Sequence, residues 1–282
     1  MSWYSKYLSV FEKPFIEAPL NVIYEIKERI KNKQAEEPLV SIVVIAYNEE
    51  KRLLSCLWSL SDTICKYPFE IIGVDNNSSD RTAEVYEAIG IPYYTEYQKS
   101  CGYARRCGLE HARGKYYICI DADTMYPPKY VETLVSELEN PYIVAVSSLW
   151  SYIPDKNHSW IGLTIYELLR DTYLFFQSFK RPELSVRGLV FAYNVEYGKK
   201  VGYRVDIIRG EDGSMAYGLL KYGKIKFVRN AKARAVTGYG TLDQDGTLLD
   251  SFKNRASKSL KDYKKLFTKK LNYKDDESNL IK

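Results

Sequence analysis

A continuous apolar stretch at residues 39–46, Leu-Val-Ser-Ile-Val-Val-Ile-Ala, constrains the fold more than any other feature of the sequence. The stretch is rich in β-branched residues and shows no alternation of polar and apolar positions. This pattern is typical of a strand that is covered on both faces. Such strands occur in parallel sheets whose connections are helices, so the chain is expected to contain an α/β domain.

Strand and helix patterns alternate through the residues that follow. Further buried strands are predicted at residues 69–74, 116–120 and 143–149. Helices are predicted around residues 53–60, from about residue 80, around residues 105–106, and from Pro127 through Leu138. Because strands that alternate with helices form mostly parallel sheets with right-handed connections, the sequence predicts a Rossmann-like sheet flanked by helices.

The two ends of the chain carry patterns of their own. Residues 1–37 are predicted to form an N-terminal helical extension, in which Val22 and Ile30 share one helical face. The α/β domain is expected at residues 38–240. Residues 241–282 are predicted to form a helical C-terminal tail, which is basic because lysine and arginine dominate its middle part.

Residues 160–179 combine aromatic and aliphatic side chains with a few charged ones, which predicts an amphipathic helix. Three interpretations of this helix remain open: it packs on the core, it shapes an acceptor site, or it touches lipid. Later in the chain, a helix is predicted from Glu211 through Tyr222 and a strand at residues 224–228.

Charge, cysteine content and hydropathy restrict the compartment and the partners. The formal net charge of +5 is too small to indicate nucleic acid, and no nucleic-acid-binding motif is present. The five cysteines include no C-x-x-C pair, which favours a reducing compartment. No apolar run approaches the ~20 residues of a membrane span. We therefore expect a cytoplasmic protein, with peripheral contact at the inner face of a membrane as an open alternative.

Polar residues follow three of the predicted strands at the point where each strand ends. These clusters are Tyr47-Asn48-Glu49, Asp75-Asn76-Asn77 and Asp121-Ala122-Asp123. Ligands of open parallel sheets bind beyond the carboxyl ends of the strands. We therefore expect the three clusters to meet in one cleft.

Asp121 and Asp123 are separated by one residue directly after a buried strand. Mg²⁺ and Mn²⁺ take oxygen ligands and are often held by one or two carboxylates together with substrate phosphates. A metal at this position could stabilise the charge of a departing diphosphate. The alternative is a solvated loop, but the strand that precedes the pair favours a metal site.

Two other acidic positions have both a structural and a functional interpretation. Asp75 ends a buried strand, where an acidic residue can hydrogen-bond a base or ribose, although its neighbours are also typical of turns and helix caps. Glu211 and Asp212 begin a predicted helix, where carboxylates interact well with the positive helix end. In the functional interpretation, one of the pair is a general base, and partial burial brings its pKa toward the working pH.

Arg105 and Arg106 lie on a predicted helix between the second and third polar clusters. An arginine there can hold a phosphate, and one of the two is expected to lie on a solvated helix face instead. With only two histidines, His111 and His158, no convincing triad or histidine metal site can be built. Walker A, G-x-G-x-x-G and G-x-S-x-G motifs are absent, which disfavours P-loop, dinucleotide-binding and hydrolase functions.

Six short segments occur in a characteristic order. They are Val-Ser-Ile-Val-Val-Ile-Ala-Tyr-Asn-Glu-Glu at 40–50, Val-Asp-Asn-Asn-Ser-Ser-Asp-Arg-Thr at 74–82, Ala-Arg-Arg-Cys-Gly at 104–108, Ala-Arg-Gly-Lys-Tyr at 112–116, Asp-Ala-Asp at 121–123 and Gly-Glu-Asp at 210–212. The ordered set resembles family 2 glycosyltransferases over roughly residues 39–230. Each segment alone is a weak signal, whereas their order is specific.

The resemblance implies a GT-A fold and inverting transfer of a sugar, often from a UDP-linked donor, to a hydroxyl acceptor with Mn²⁺ or Mg²⁺. It further implies a role in making cell-surface polysaccharide or glycolipid, with a saccharide or lipid-linked saccharide as the acceptor. The implied site residues are Ala46, Tyr47, Asn48 and Glu49 for the nucleotide pocket, Asp75 near the base, Arg105 facing the nucleotide or its phosphates, Asp121 near the ribose or metal, Asp123 on the metal, and Asp212 as general base with Glu211 beside it.

The sequence departs from the family pattern at two positions. Asn76 stands where a second aspartate is usual, and Arg106 stands where an asparagine is usual. The Gln-x-x-Arg-Trp signature of processive synthases is absent, which favours the addition of single sugars. Two other functions remain open: nucleotidyl transfer of the sugar-nucleotide pyrophosphorylase type, and sugar binding without catalysis on the same fold.

Overall fold

The computed structural model describes residues 2–154 and 158–238, so the predicted tail at residues 241–282 lies outside the described residues. The strands are β1 (Val40–Ala46), β2 (Phe69–Asp75), β3 (Tyr93–Thr95), β4 (Tyr116–Asp121), β5 (Thr124–Met125), β6 (Ile143–Ser147), β7 (Trp150–Tyr152), β8 (Phe191–Asn194), β9 (Lys224–Phe227) and β10 (Ala235–Thr237). The helices are α1 (Leu20–Lys31), α2 (Leu53–Ser61), α3 (Thr82–Ile89), α4 (Cys101–His111), α5 (Tyr130–Leu138), α6 (Trp160–Lys180), α7 (Val195–Val201) and α8 (Glu211–Leu219).

Seven of these strands form one sheet in the order β3-β2-β1-β4-β8-β6-β9. β1 pairs in parallel with both β2 and β4, whereas β8 runs antiparallel to β4 and β6. Every residue of β1 is buried, as the uninterrupted apolar stretch predicts for a strand with helices over both faces. The predicted α/β sheet, mostly parallel and flanked by helices, is confirmed.

The apolar core lies in two layers, one on each face of the large sheet. One layer contains buried residues of α1, α2, α3 and α5, such as Ile26, Leu57 and Leu134. The other contains buried residues of α4 and α8, such as Leu109 and Leu219. The helices therefore present one apolar stripe each to the sheet, as their spacing predicts.

The predicted N-terminal helix is present as α1, preceded by two short 3₁₀ turns. Val22, Ile26 and Ile30 are buried, and they belong to the same core layer as α2 and α5. Thus the N-terminal segment packs on the core of the sheet. The domain boundaries at residues 37 and 240 stay a prediction.

Two predicted elements end earlier than expected. The strand predicted at residues 143–149 stops at Ser147, and the backbone N–H of Ser148 still donates to the carbonyl of Val190, 3.0 Å away. The chain then continues as β7 in a separate sheet of order β5-β10-β7. The helix predicted through Tyr222 ends at Leu219.

The amphipathic helix predicted at residues 160–179 is confirmed as α6, which packs beside the three-stranded sheet. Glu167 joins the two elements, because its carboxylate accepts hydrogen bonds from the Ser151 hydroxyl and the Tyr152 N–H, both at 2.7 Å. Within residues 2–154 and 158–238, no helix combines the length and apolar character that crossing a membrane requires.

Candidate functional site

The carboxyl ends of β2, β1 and β4 bring the three polar clusters to one edge of the sheet. In the strand register, Ala46 pairs with Asp75 on one side, and Ile45 pairs with Asp121 on the other. Neighbouring strands lie about 4.8 Å apart, so the backbones of the two aspartates flank the end of β1 at a separation of roughly 10 Å. The predicted convergence of the strand ends is therefore present.

Asp121 ends β4, and Asp123 stands on the turn that joins β4 to β5. One Asp123 carboxylate oxygen accepts a hydrogen bond from the Thr124 hydroxyl at 2.9 Å, and that hydroxyl lies 3.0 Å from the hydroxyl of Thr237 on β10. Burial and the neighbouring charge of Asp121 raise the pKa of Asp123 to about 6. A carboxylate in this setting is stabilised by a nearby cation.

Glu49 lies close enough to Asp123 for the two charges to interact. Burial, followed by repulsion from Asp123, raises the pKa of Glu49 to about 8, although Arg52 opposes this shift. The turn that carries Glu49 is built by Asn48, whose backbone is left-handed with φ of 54° and whose side chain accepts from the Ser79 N–H at 2.8 Å. The loops after β1 and β2 are therefore tied together at the sheet edge.

Ala46 and Tyr47, the other two residues predicted to line the nucleotide pocket, differ in exposure. Ala46 is buried at the end of β1, whereas Tyr47 is 46% exposed. The Lys99 ammonium lies 4.9 Å from the Tyr47 ring centre and 3.2 Å from its hydroxyl. Tyr47 thus offers an open aromatic surface beside a cation, which suits a flat, anionic ligand.

Asp75 is buried at the end of β2, and its carboxylate accepts from the Ser78 N–H at 3.3 Å. The carboxylate of Asp80 accepts from the Thr82 N–H at 2.9 Å, so Asp80 stabilises the turn that precedes α3. Asn76, which replaces an expected aspartate, donates to the carbonyls of Glu96 and Gln98. The substituted side chain thus holds the loop after β3 against β2.

Arg105 of α4 is the largest fully buried side chain of the described residues, with 2% of its surface exposed. Its guanidinium is ion-paired with Asp121, donates to the Ile120 carbonyl at 3.3 Å, and lies 3.7 Å from the Asp212 carboxylate. The buried guanidinium therefore lies between the carboxylates of Asp121 and Asp212. The expected contact of Arg105 with the nucleotide or its phosphates stays a prediction.

Asp212 lies in the first turn of α8, after Gly210 in a left-handed conformation. Burial raises its pKa to about 7, although Arg105 lowers it, and repulsion from Glu211 and Asp121 raises it further. For the pKa of Asp212, burial therefore outweighs the attraction of the arginine. The Asp212 oxygen that faces Arg105 is buried and has no hydrogen-bond partner within the described structure. A buried oxygen without a hydrogen bond favours the protonated carboxyl, which agrees with the raised pKa.

Glu211 and Arg106 are positioned differently from their neighbours in sequence. Glu211 is half-buried beside Asp212 and acts on it through charge repulsion. Arg106 points to the surface, where it lies 3.8 Å from Glu110 and stacks on Tyr103. Thus one arginine of the pair lies on a solvated helix face, as expected.

Three residues that hold the site together carried no recognisable signal in the sequence. A Cβ added at Gly188 would lie 2.5 Å from the Arg105 guanidinium and closer still to the Asp212 carboxylate. The Tyr126 hydroxyl accepts from the Asp121 N–H at 3.1 Å and donates to the Leu189 carbonyl at 2.9 Å. The segment at residues 188–189 therefore packs against both sides of the site, and only its spatial contacts reveal this.

The donor set at Asp121 and Asp123 fits a hard divalent cation. After the contacts with Arg105 and Thr124, each carboxylate retains an oxygen that is free of those bonds. Across the part of the chain that the structure describes, no cluster of three or more metal-ligating side chains occurs. Two carboxylates suffice for Mg²⁺ or Mn²⁺ when substrate phosphates and water complete the coordination shell.

Comparison with known proteins relates the site to a sequence family. The sequence model described as glycosyl transferase family 2 matches residues 41–207. An undecaprenyl-phosphate 4-deoxy-4-formamido-L-arabinose transferase from Shewanella sediminis is 34% identical over 115 residues, which are 36% of this chain and 34% of the relative. A dolichol-phosphate mannosyltransferase from Pyrococcus furiosus is 26% identical over 39% of this chain and 32% of its own. The matches thus span about a third of each relative.

Two solved structures share the fold. A mannosyltransferase from Pyrobaculum calidifontis, in complex with GDP-Man and Mn²⁺, has a TM-score of 0.58 and 18% identity over 86% of this chain and 73% of its own. A glucosyl-3-phosphoglycerate synthase from Mycobacterium tuberculosis, in complex with Mn²⁺, UDP-glucose and phosphoglyceric acid, has a TM-score of 0.53 and 22% identity over 79% and 78% of the two chains. At these identities, the likeness establishes a GT-A fold.

Proposed function

Because the chain belongs to glycosyl transferase family 2, we propose that it transfers a sugar from a nucleotide-diphosphate donor to a hydroxyl group of an acceptor, with inversion at the anomeric carbon. The observation that carries the proposal is the arrangement around Arg105. Its guanidinium joins Asp121, on the side of the predicted metal, to Asp212, the predicted base. The proposed metal-binding carboxylate and the proposed base therefore lie on opposite sides of the buried Arg105 guanidinium.

The donor is proposed to bind across the carboxyl ends of β1, β2 and β4. Tyr47, Asn48 and Glu49 would line the nucleotide pocket, and Asp75 would lie near the base. Uracil is the proposed base, since UDP-glucose is bound in one of the related structures. Guanine is the alternative to test, because the other related structure contains GDP-Man.

Asp121 and Asp123 are the residues that would hold Mn²⁺ or Mg²⁺, and both solved relatives contain Mn²⁺. When bound, the cation supplies Lewis-acid stabilisation of the charge on the leaving diphosphate. Within the chain itself, Thr124 orients Asp123 by its 2.9 Å hydrogen bond, and Tyr126 holds the backbone of Asp121.

Asp212 is proposed to accept the proton of the attacking hydroxyl. An inverting transfer needs its base on the face opposite the leaving group, as in inverting glycoside hydrolysis. A pKa of about 7 suits this role, because a base is most effective when its pKa is near the operating pH. Arg105 limits the shift, so that the carboxylate is available near neutral pH.

The acceptor is proposed to be a saccharide or lipid-linked saccharide in the synthesis of cell-surface polysaccharide or glycolipid. Two relatives are named for undecaprenyl phosphate and dolichol phosphate, which supports a lipid-linked acceptor. The protein would then work in the cytoplasm at the inner face of a membrane, adding one sugar per reaction.

A thermal-shift screen of UDP- and GDP-sugars with Mn²⁺ tests this proposal. A true donor at a hundred times its Kd should stabilise the fold by about 2.7 kcal/mol through mass action. Release of nucleotide diphosphate from that donor should need the cation. A protein without catalysis would be stabilised but release nothing, whereas a pyrophosphorylase would release pyrophosphate from a nucleoside triphosphate, and either result would contradict the proposal.

A further inference from the structure

The outward face of α6 is an exposed apolar surface that follows the helix from end to end. Its large members are Trp160, Ile161, Ile165, Leu168, Leu169, Tyr173, Phe176 and Phe179, which are 36–70% exposed. Thr164, Thr172 and Lys180 are the other exposed residues of the helix. The exposed face therefore holds no carboxylate. We refer to these eight large side chains as the α6 apolar face.

Apart from Lys180, the charged residues of α6 are turned the other way, toward the three-stranded sheet. The Arg170 guanidinium stacks on the Trp150 ring at 4.1 Å, and the Asp171 carboxylate accepts from Arg234 at 2.6 Å. Glu167 is held by β7. Because the polar groups are fixed inward, the apolar face cannot be hidden by rotating the helix about its axis.

The α6 apolar face is too large and continuous to be an ordinary surface feature. Single exposed apolar side chains are common on soluble proteins, whereas a contiguous aromatic and aliphatic stripe marks an interaction site. The stripe includes Trp160 at its amino end and Tyr173 further along the helix. Such side chains are favoured at the boundary between lipid and water.

The charges around the helix suit an anionic surface. Lys180 is exposed at the end of α6, and the exposed Arg229 lies 3.9 Å from the ring of Phe175. Arg181 stands next in the chain, although it is ion-paired with the buried Glu183. In the sequence beyond the described residues, lysine and arginine also predominate at residues 252–270.

The same helix is joined to both sides of the candidate site. On one side, Glu167 attaches the middle of α6 to β7, and β7 pairs with β10. Thr237 of β10 in turn contacts Thr124, the residue after Asp123. The carboxyl end of α6 continues into the 3₁₀ turn Pro182–Ser185, and the Glu183 carbonyl of that turn lies 3.5 Å from a Cβ placed at Gly213, next to Asp212. A surface that rests on α6 is therefore held at a fixed distance from the site.

We propose that the α6 apolar face docks onto an anionic lipid bilayer and lies in its interfacial region. Amphipathic helices of this kind bury their apolar side chains about 5–10 Å into the boundary between headgroups and acyl chains, and nearby basic residues add attraction to anionic lipid. The inference rests on the proposed function only for its consequence, which is that a lipid-linked acceptor meets Asp212 from the membrane side.

Vesicle co-sedimentation of the full chain tests the docking surface. One set of vesicles contains phosphatidylcholine alone. The other contains phosphatidylcholine with phosphatidylglycerol as about a third of the lipid. The wild-type chain should bind the anionic vesicles, and Leu168→Glu/Phe176→Glu should bind them at least tenfold more weakly. The matched control, Ile16→Glu/Tyr142→Glu, adds the same charge at equally exposed positions outside α6 and should bind within twofold of wild type.

Three outcomes would overturn the proposal. The wild-type chain could fail to bind anionic vesicles, or both double variants could lose binding equally, which would indicate charge alone. Sedimentation velocity could instead show a wild-type dimer that Leu168→Glu/Phe176→Glu dissociates, which would make the face a contact between two copies. Metal-dependent release of nucleotide diphosphate, measured on the same samples, separates failure of the docking surface from failure of the proposed function.

Discussion

Residues 40–147 and residues 148–238 build opposite sides of the candidate site by different means. In the first region, Asp75 and Asp121 stand at the ends of strands, and their separation follows from the register with β1. In the second region, Asp212 stands at the start of a helix, and a buried arginine from the first region reaches across to it. Backbone pairing positions one side, whereas side-chain contacts position the other.

This difference predicts how the two regions respond to substitution. A carboxylate at a strand end can be replaced while the sheet keeps its geometry, so the effect should be confined to ligand binding. A residue held by packing between distant segments shares its neighbours, so its replacement should alter several groups together. The predictions below test this contrast.

The largest effect is expected for Asp212→Asn, which keeps the shape but removes the proposed base. Turnover should fall by about 10²–10⁴-fold, the usual contribution of a general base, while donor affinity changes little. Rates of nucleotide diphosphate release and calorimetric donor titration measure the two quantities. Near-normal turnover would remove Asp212 from this role.

On the strand-end side, Asp123→Ala should weaken Mn²⁺-dependent donor binding by roughly 10–100-fold, because it removes one of two carboxylates of the predicted cation site. The melting temperature without donor should be unchanged or higher, since a buried carboxylate with a raised pKa is lost. Calorimetry with and without Mn²⁺ measures the binding. Asp206→Asn, at an exposed aspartate, is the control, and equal donor affinity in both variants would contradict the assignment.

Gly188→Ala should reduce turnover by roughly tenfold, because its Cβ would displace both the Arg105 guanidinium and the Asp212 carboxylate. Overpacking of this kind should also lower the free energy of unfolding by about 1–3 kcal/mol. Gly213→Ala serves as the control. Its Cβ meets its nearest neighbour at an ordinary 3.5 Å, and in a helix it should add about 0.5–1 kcal/mol of stability.

The smallest effect concerns the pH profile. Because burial raises the pKa of Asp212 to about 7, turnover should rise with pH through about 7 as the carboxylate loses its proton. Glu211→Gln removes a neighbouring negative charge, so the midpoint should move to lower pH by less than ~1 unit. An unchanged midpoint would show that Glu211 does not interact with the titrating group.

As pH rises, the contribution of Asp212 to folding stability decreases, whereas its contribution to turnover increases. A carboxyl whose pKa is higher in the folded than in the unfolded state binds more protons when folded. Folding stability from this group therefore decreases as pH rises from about 4 to about 7. Asp212→Asn should remove that decrease and raise the melting temperature at pH 8, which differential scanning calorimetry can measure.

The sequence predicts the first region well because its determinants are local. The apolar run of β1 and the residues that follow it specify a buried strand and a polar turn without reference to the rest of the chain. Asp121 and Asp123 are predicted site residues for the same reason, since one ends β4 and the other follows it by two residues. The sheet then brings these local features together.

In the second region, α6, α8 and β9 are predicted from their patterns, but the contacts that build the site are not. β5 has two residues and β10 has three, too few to show a period. The contacts of Gly188 with Arg105 and Asp212 join segments that are distant in sequence and carry no motif. The burial of Arg105 could not be predicted from the sequence either, because it depends on which carboxylates surround the side chain in three dimensions.

The position of Arg105 has a thermodynamic consequence for the two carboxylates that share it. A single positive charge cannot fully compensate both, so whatever strengthens its pairing with Asp121 leaves Asp212 more strongly attached to its proton. The proton affinity of Asp212 and the pairing of Arg105 with Asp121 are thus linked. The two carboxylates form a single electrostatic unit, and neither can be tuned in isolation.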